Sequence, residues 1–199
     1  MTLFPDSSAA REVLPYDGSA TFHDWVLGER AHLDVLDRLV DTLAWEQRHL
    51  TMFGRRVAEP RLSAWYGDEG YTYSGVTLEP RSMTRDLDEL KKLCEEISGT
   101  TFNSVLVNHY RNGDDSMGWH ADDEPELGPS PIIASLSLGA TRRFRFRHRR
   151  TREIVEQDLT GGSLLVMSGA CQSAWMHAIP KQKRITEARV NLTFRFIHS

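Results

Sequence analysis

Three residues in the second half of the chain could hold one metal ion: His120, Asp122 and His177. Two imidazoles and a carboxylate make up the facial triad of non-heme Fe(II) sites, which leaves metal positions open for other ligands. On a strand, residues two apart share a face, so His120 and Asp122 can point at the same ion while Ala121 points away. A bare His-x-Asp arises easily by chance in a chain with 8 histidines, and a distant histidine adds little alone. The stretch 188–197 sharpens the pattern. Arg189, Asn191, Thr193 and Arg195 have one parity and hence one face, with Val190, Leu192, Phe194 and Phe196 on the other. Arginines directed into an interior are costly unless they meet anions. An internal Asp or Glu is one partner. A dicarboxylate ligand is the other, because the guanidinium fork binds carboxylates at two points. The two arginines span about 20 Å of strand at ~3.3 Å per residue, so one small molecule touches both only if the strand twists or the side chains converge.

These residues need a β-rich scaffold. Strands are expected over 101–110, 131–139, 142–150, 163–167, 175–179 and 188–197, each with alternating or apolar character and turn residues between. Short strands at such regular spacing suggest a sandwich or barrel, closed as a jelly roll. Two helices precede them. Leu33, Leu36, Leu39, Val40 and Leu43 recur at helical spacing over 29–43. Residues 84–98 form the second helix, with Thr84 as N-cap, Gly99 as the stop, and a stripe of Leu87, Leu90, Leu93, Cys94 and Ile97. Residues 1–22 read as an irregular arm with one short strand.

The chain has 199 residues, 40% hydrophobic and 26% charged, which suits one domain with a single core. A net charge of −4 gives no global attraction to nucleic acid or anionic membrane, so any such binding must be local. Two cysteines make neither a disulfide framework nor a zinc cluster, and point to a reducing intracellular setting. No apolar run approaches a membrane span, and the N-terminus lacks the pattern of a secretory signal.

Two segments could meet a nucleic acid. In 50–80, Trp65, Tyr66, Tyr71 and Tyr73 are interleaved with glycines and follow Arg55, Arg56 and Arg61. A hairpin whose aromatics fill the core is one explanation. A base-binding lid is the other, since rings and arginines supply stacking and phosphate neutralisation together. The run from Arg142 to Arg152 is dense in arginine and includes Arg147, Arg149 and Arg150. It reads either as a solvated charged strand or as a phosphate-contacting edge.

The segments NHY (108–110), HADDE (120–124), SLSLGATRRFRFRH (135–148), GGSLLVMSG (161–169), WMHAIP (175–180) and ARVNLTFR (188–195) resemble the AlkB family. These are Fe(II)- and 2-oxoglutarate-dependent dioxygenases that reverse N-alkyl damage on nucleobases. The likeness runs from about Met52 to Phe196. Through PRLSAWYGDEG (60–70) and MFG (52–54) it is closest to the branch that repairs duplex DNA. The resemblance implies a mostly β fold with supporting α-helices: a double-stranded β-helix (jelly roll) core with an N-terminal nucleotide-recognition lid. Residues 1–199 would form a single catalytic domain, with an arm and helix (1–49), the lid (50–83), a supporting helix (84–99) and the core (100–199). His120, Asp122 and His177 would hold iron. Asn108, Tyr110, Arg189, Asn191 and Arg195 would bind 2-oxoglutarate, with Arg189 on the far carboxylate. Phe53 falls at an aromatic finger, Tyr73 at a pocket tyrosine, Tyr71 nearer phosphate, and Glu124 at a base-contacting acid. Arg61 and Arg147 join the substrate-facing set. After Tyr73 the chain departs from the branch where a base-sandwiching aromatic would lie, so Trp65 or Tyr66 would substitute. The implied reaction consumes O2 and 2-oxoglutarate and demethylates bases of the 1-methyladenine and 3-methylcytosine type in DNA, releasing formaldehyde, succinate and CO2. An RNA demethylase, or a hydroxylase of a protein or small molecule, is the alternative. The partners implied are alkylated DNA, duplex or single-stranded, and possible RNA. The protein would be a monomer without a membrane partner, cytoplasmic in a bacterium or nuclear in a eukaryote.

Overall fold

The leucines spaced by three and four do build a helix, α1 (Glu29–Thr42), and Thr84 opens a second, α2 (Arg85–Ser98). The computed structural model describes residues 10–52, 55–67, 71–73, 76–78 and 80–198, with the backbone alone for 50–52, 55–56, 71–73 and 76–78. The Thr84 hydroxyl accepts the N–H of Leu87, satisfying one of the donors a helix start leaves open. Gly99 ends α2 at φ 66°, a left-handed conformation that costs glycine little. Helix α1 departs from its expected stripe. Leu33 is exposed, and His32 takes the inward position beside Leu36 and Leu39. Its Nδ1 accepts the N–H of Gly139 at 3.3 Å, and its ring sits so close to Gly161 that a Cβ there would come within 2.5 Å. The imidazole therefore pins α1 to two turns of the sheet.

The described strands are β1 (Arg11–Glu12), β2 (Ser19–His23), β3 (His49–Met52), β4 (Arg55–Ala58), β5 (Leu62–Gly67), β6 (Tyr71–Tyr73), β7 (Val76–Leu78), β8 (Ser104–Tyr110), β9 (Met117–His120), β10 (Ile133–Gly139), β11 (Arg142–His148), β12 (Ile154–Leu159), β13 (Leu164–Ser168), β14 (Trp175–Ile179) and β15 (Arg189–Arg195). A one-turn helix, α3 (Cys171–Ala174), precedes β14. Seven strands form a major sheet in the order β1-β2-β13-β10-β15-β8-β5, and four form a minor sheet in the order β12-β11-β14-β9. From β8 onward the chain crosses between the sheets at nearly every connection, which is the jelly-roll topology. The six expected strands are present. Strand β12 was not expected, because the outer charges Glu156 and Asp158 mask its alternation, and β9, the strand expected at His120, is short and ends there. Strand β5 corrects the expected lid. It pairs with β8 from Leu62↔His109 to Gly67↔Ser104, so it belongs to the major sheet, and among the described strands the pairs β3–β4 and β6–β7 lie outside the two sheets.

Alternation divides each central strand between two cores. Val190, Leu192 and Phe194 of β15 pack with Val105, Val107, Leu136 and the leucines of α1 and α2. Between the sheets lie Tyr110, Phe144, Phe146, Met167, Trp175 and Ile179. The polar parity of β15 therefore faces the minor sheet. No helix among the described residues is long and apolar enough to cross a membrane.

His32 yields a pH prediction. Burial pushes its pKa below the ordinary value, Glu29 opposing weakly. Below about pH 6.5 the unfolded chain takes up a proton that the folded imidazole resists, so this contribution to stability is present above that pH and lost as pH falls. His32→Asn can still accept from Gly139 but cannot titrate. Its melting temperature should fall less than the wild type's between pH 7.5 and 5.5, by about 2–4 °C. Equal falls would contradict the assignment.

Candidate active site

The minor sheet brings the two histidines together. His120, the last residue of β9, is the register partner of His177 on β14, and their ring centroids are 4.2 Å apart. Asp122 is not on the strand, as same-face alternation had suggested. The chain leaves β9 after His120, and the Asp122 N–H donates to Oε1 of Gln172 on α3 at 3.0 Å. Ligand atoms from His120, Asp122 and His177 all lie within 4.8 Å of one another. The His120 Nδ1 lies 2.9 Å from the Gly118 carbonyl, a bond that leaves Nε2 for a ligand. The His177 ring stacks on Phe144 at 5.2 Å.

Protonation suits a cation. Burial pushes both imidazoles down, His177 to about 3 with His120 adding to the effect. Burial alone would raise the Asp122 carboxyl. Arg195, then His177 and His120, hold it below its ordinary range instead. Neutral imidazoles and an ionised carboxylate are the forms that bind metal. The Asp122–Arg195 pair is 2.8 Å long, with both side chains 2% exposed.

Across the cavity stands the polar row of β15. Asn191 pairs with Asn108 on one side and Ser137 on the other, and its Nδ2 donates to Ser135 Oγ at 2.9 Å and to the Leu136 carbonyl at 3.0 Å. Asn108, Tyr110, His120, Asp122, His177, Asn191 and Arg195 all line one cavity between the sheets. Arg189 sits beside it, its guanidinium carbon 5.2 Å from the Tyr110 ring centroid. Its Nη2 donates to Ser137 Oγ at 2.9 Å, while Nε and Nη1 have no hydrogen-bond partner among the described residues. Burial pushes this guanidinium down to about 10; Tyr110 opposes the shift and the nearby charge of Arg142 adds to it. The two arginines thus meet different partners. Arg195 takes an internal carboxylate, and Arg189 a serine hydroxyl.

A profile of the 2OG-Fe(II) oxygenase superfamily matches residues 18–195. Human alpha-ketoglutarate-dependent dioxygenase alkB homolog 3 is 45% identical over 174 residues, covering 82% of this chain and 61% of that protein. Mouse DNA oxidative demethylase ALKBH2 is 43% identical over 172 residues, covering 81% of this chain and 72% of that protein. The chain belongs to the AlkB family. The solved structure of OsALKBH1 shares the fold, with a TM-score of 0.64 at 16% identity over 96% of this chain and 100% of that one. The chain spans 61% of the length of alkB homolog 3, and the two identities differ too little to place it beside one relative rather than the other.

The donor set fits what an AlkB-family site holds. His120, Asp122 and His177 suit Fe(II), which the structure does not contain, and the unpartnered Arg189 nitrogens suit a carboxylate of 2-oxoglutarate. The expected substrate residues fare unevenly. Trp65 and Tyr66 are corrected: Trp65 packs with Leu106, Leu127 and Ile197, and Tyr66 lies among the helix-side leucines with its hydroxyl accepting the Ala44 N–H. Both are buried core residues of β5, and neither lines the cavity. Arg61 is also buried. It pairs with Glu59 at 3.1 Å and donates from Nε to Asn108 Oδ1 at 2.7 Å, so it orients a cavity residue. Glu124 is half-buried at the start of a 3-10 turn, outside the cavity lining. Arg147 lies on the outer face of the minor sheet, 4.3 Å over the Trp119 ring. Arg143 and Arg145 are paired with Glu156 and Asp158, and Arg149 with Asp123, so much of the arginine run is neutralised internally. Phe53 and the side chains of Tyr71 and Tyr73 fall outside the described residues. Sequence reasoning missed Gln172, Ser137 and Arg142. They are a lone amide, a strand serine and one arginine among many, and nothing in their spacing marks them.

Replacing Arg189 by methionine removes a buried charge that lacks a full set of partners, a change that is neutral or stabilising when the apolar replacement packs. The ligand-free Arg189→Met protein should melt at or above the wild-type temperature, while the rise that 2-oxoglutarate causes in the wild type disappears. A lower melting temperature with the ligand shift retained would place the carboxylate elsewhere.

Proposed function

We propose that this chain is an Fe(II)- and 2-oxoglutarate-dependent dioxygenase that demethylates N-alkylated nucleobases, of the 1-methyladenine and 3-methylcytosine type, in DNA. The observation that carries the reading is the fork of Arg189, still short of partners, beside a His-Asp-His cluster in one buried cavity. Relatives such as ALKBH2, named a DNA oxidative demethylase, supply the substrate class. The bound metal and cosubstrate supply the oxidising power, with O2 and 2-oxoglutarate consumed and succinate, CO2 and formaldehyde released.

The residues supply placement. His120, Asp122 and His177 hold the ion, and Arg195 keeps the Asp122 carboxylate ionised and oriented. Arg189, with Ser137 beside it, receives the far carboxylate, while Asn108, Tyr110 and Asn191 line its path. Phe144 and Met117 are apolar walls that exclude water from the metal's surroundings. A base inside a duplex must be extruded to reach this cavity, at a cost of a few kcal/mol that is smaller where methylation has broken its pairing. The hairpins β3–β4 and β6–β7, with Phe53 between β3 and β4, are the lid assigned to that step. Aromatic faces there would attract a cationic methylated base by roughly 0.5–2 kcal/mol.

The test is turnover. With Fe(II), 2-oxoglutarate and O2, the protein should release formaldehyde and succinate in equal amounts from 3-methylcytosine oligonucleotides. His177→Ala should lower this by more than about a hundredfold. Single-stranded DNA, duplex DNA and RNA assayed side by side rank the substrates. Succinate without base repair would point to another hydroxylation substrate, and no succinate at all would overturn the reading.

A further inference from the structure

Arg142 opens β11 and is 1% exposed. Its guanidinium donates to the carbonyls of Asn112 at 3.1 Å, Asp115 at 2.8 Å and Pro180 at 2.9 Å, and to Gln182 Oε1 at 3.3 Å. These acceptors belong to two loops, one between β8 and β9 and one between β14 and β15. Backbone bonds from Gly113 to Ile185 and from Gln182 to Gly113 zip the loops together. Every acceptor is formally neutral. Among the described residues no carboxylate lies within ion-pair distance of Arg142; the charge of Asp115 favours the guanidinium from farther away, but that carboxylate is paired with Arg111 at 2.8 Å.

Holding carbonyls requires donors but not a full charge, and burying a charge is costly. The charge has a second neighbour. The guanidinium carbons of Arg142 and Arg189 lie 5.5 and 5.2 Å from the centroid of the same Tyr110 ring. Two buried cations thus share one aromatic partner, and Arg189 still has two nitrogens unused. A carboxylate arriving at Arg189 would offset both charges at once.

We propose that Arg142 is a positioning residue for the dicarboxylate cosubstrate, making the cavity select a 2-oxo acid with a second carboxylate over one without. Its hydrogen bonds go to the loops, so it acts through charge and through Arg189 and Tyr110 rather than by touching the ligand. The inference rests on the dioxygenase reading above and deepens it.

Equilibrium binding tests it without turnover. Dissociation constants for 2-oxoglutarate and for 2-oxobutyrate, which lacks the far carboxylate, are measured by calorimetry on Mn(II)-loaded wild type, Arg142→Gln and Arg142→Lys. In Arg142→Gln, 2-oxoglutarate should bind roughly tenfold more weakly, the scale of one screened charge acting from beyond contact distance, while 2-oxobutyrate changes by less than about twofold. Arg142→Lys keeps the charge but not the set of carbonyl bonds, so it should keep the discrimination between the acids even where its melting temperature drops. Equal weakening toward both acids would reduce Arg142 to a loop staple and overturn the proposal. So would unchanged 2-oxoglutarate affinity in Arg142→Gln. If Arg142→Gln does not fold, Arg142→Lys decides: lost discrimination in a folded protein refutes the role of charge. A wild type that binds neither acid overturns the proposed function, and this inference with it.

Discussion

The buried pair between Asp122 and Arg195 joins the two halves of the site. Asp122 follows a strand of the minor sheet, and Arg195 ends a strand of the major sheet. A buried ion pair is weak evidence for stability, because desolvation offsets most of its attraction. Its consequence here is positional and electrostatic. It keeps the carboxylate ionised inside the protein, and it fixes the distance between the sheets at the place where a metal and a cosubstrate would meet. Removing either partner would strand the other charge in the interior.

The same economy explains β15. One parity is apolar and packs against the helices, and the other carries Arg189, Asn191, Thr193 and Arg195 into the space between the sheets. Strand pairing places Asn108 and Tyr110 on one side of that row and the serines of β10 on the other. Most of the row is satisfied by neighbours, through Ser135, Ser137, the Leu136 carbonyl and Asp122. What is left over is part of one guanidinium at one end. Among the described residues this leaves the polar lining of the cavity largely satisfied from within, and the open part of the Arg189 fork is the feature on which the proposed cosubstrate role rests.

Much of this was legible in the residues. Strict alternation in 188–197 and 142–148 gave both strands and their faces, and Thr84 and Gly99 bounded a helix nearly to the residue. The triad could be named from residue type, although Asp122 reaches the site from a loop and not from the strand. Legibility failed where a residue's role is set by its partner across the sheet. Nothing in the leucine spacing of α1 says that His32 will displace Leu33 from the buried face, because the reason is an acceptor needed at Gly139. Gln172 is invisible for the same reason: its partner is a backbone N–H far away in sequence.

Aromatic and arginine-rich segments show the limit most clearly. Trp65 and Tyr66 had the composition of a stacking platform, but composition cannot separate a platform from a core strand. Pairing with β8 decides it, since it makes β5 the edge strand of the major sheet and lays Tyr66 against the helix-side core and Trp65 against Leu106, Leu127 and Ile197. Arginines divide by the same logic. Arg142 is held by carbonyls, Arg143 and Arg145 face acids on β12, and Arg61 is locked to Glu59 and Asn108. A dense run of positive residues in a chain of net charge −4 is therefore not a phosphate-binding edge by default. Only cations near the surface and without an acidic partner carry a field outward, and on β11, with Arg142 buried, that leaves among the described residues Arg147, beside the Trp119 ring and the Met176 sulfur.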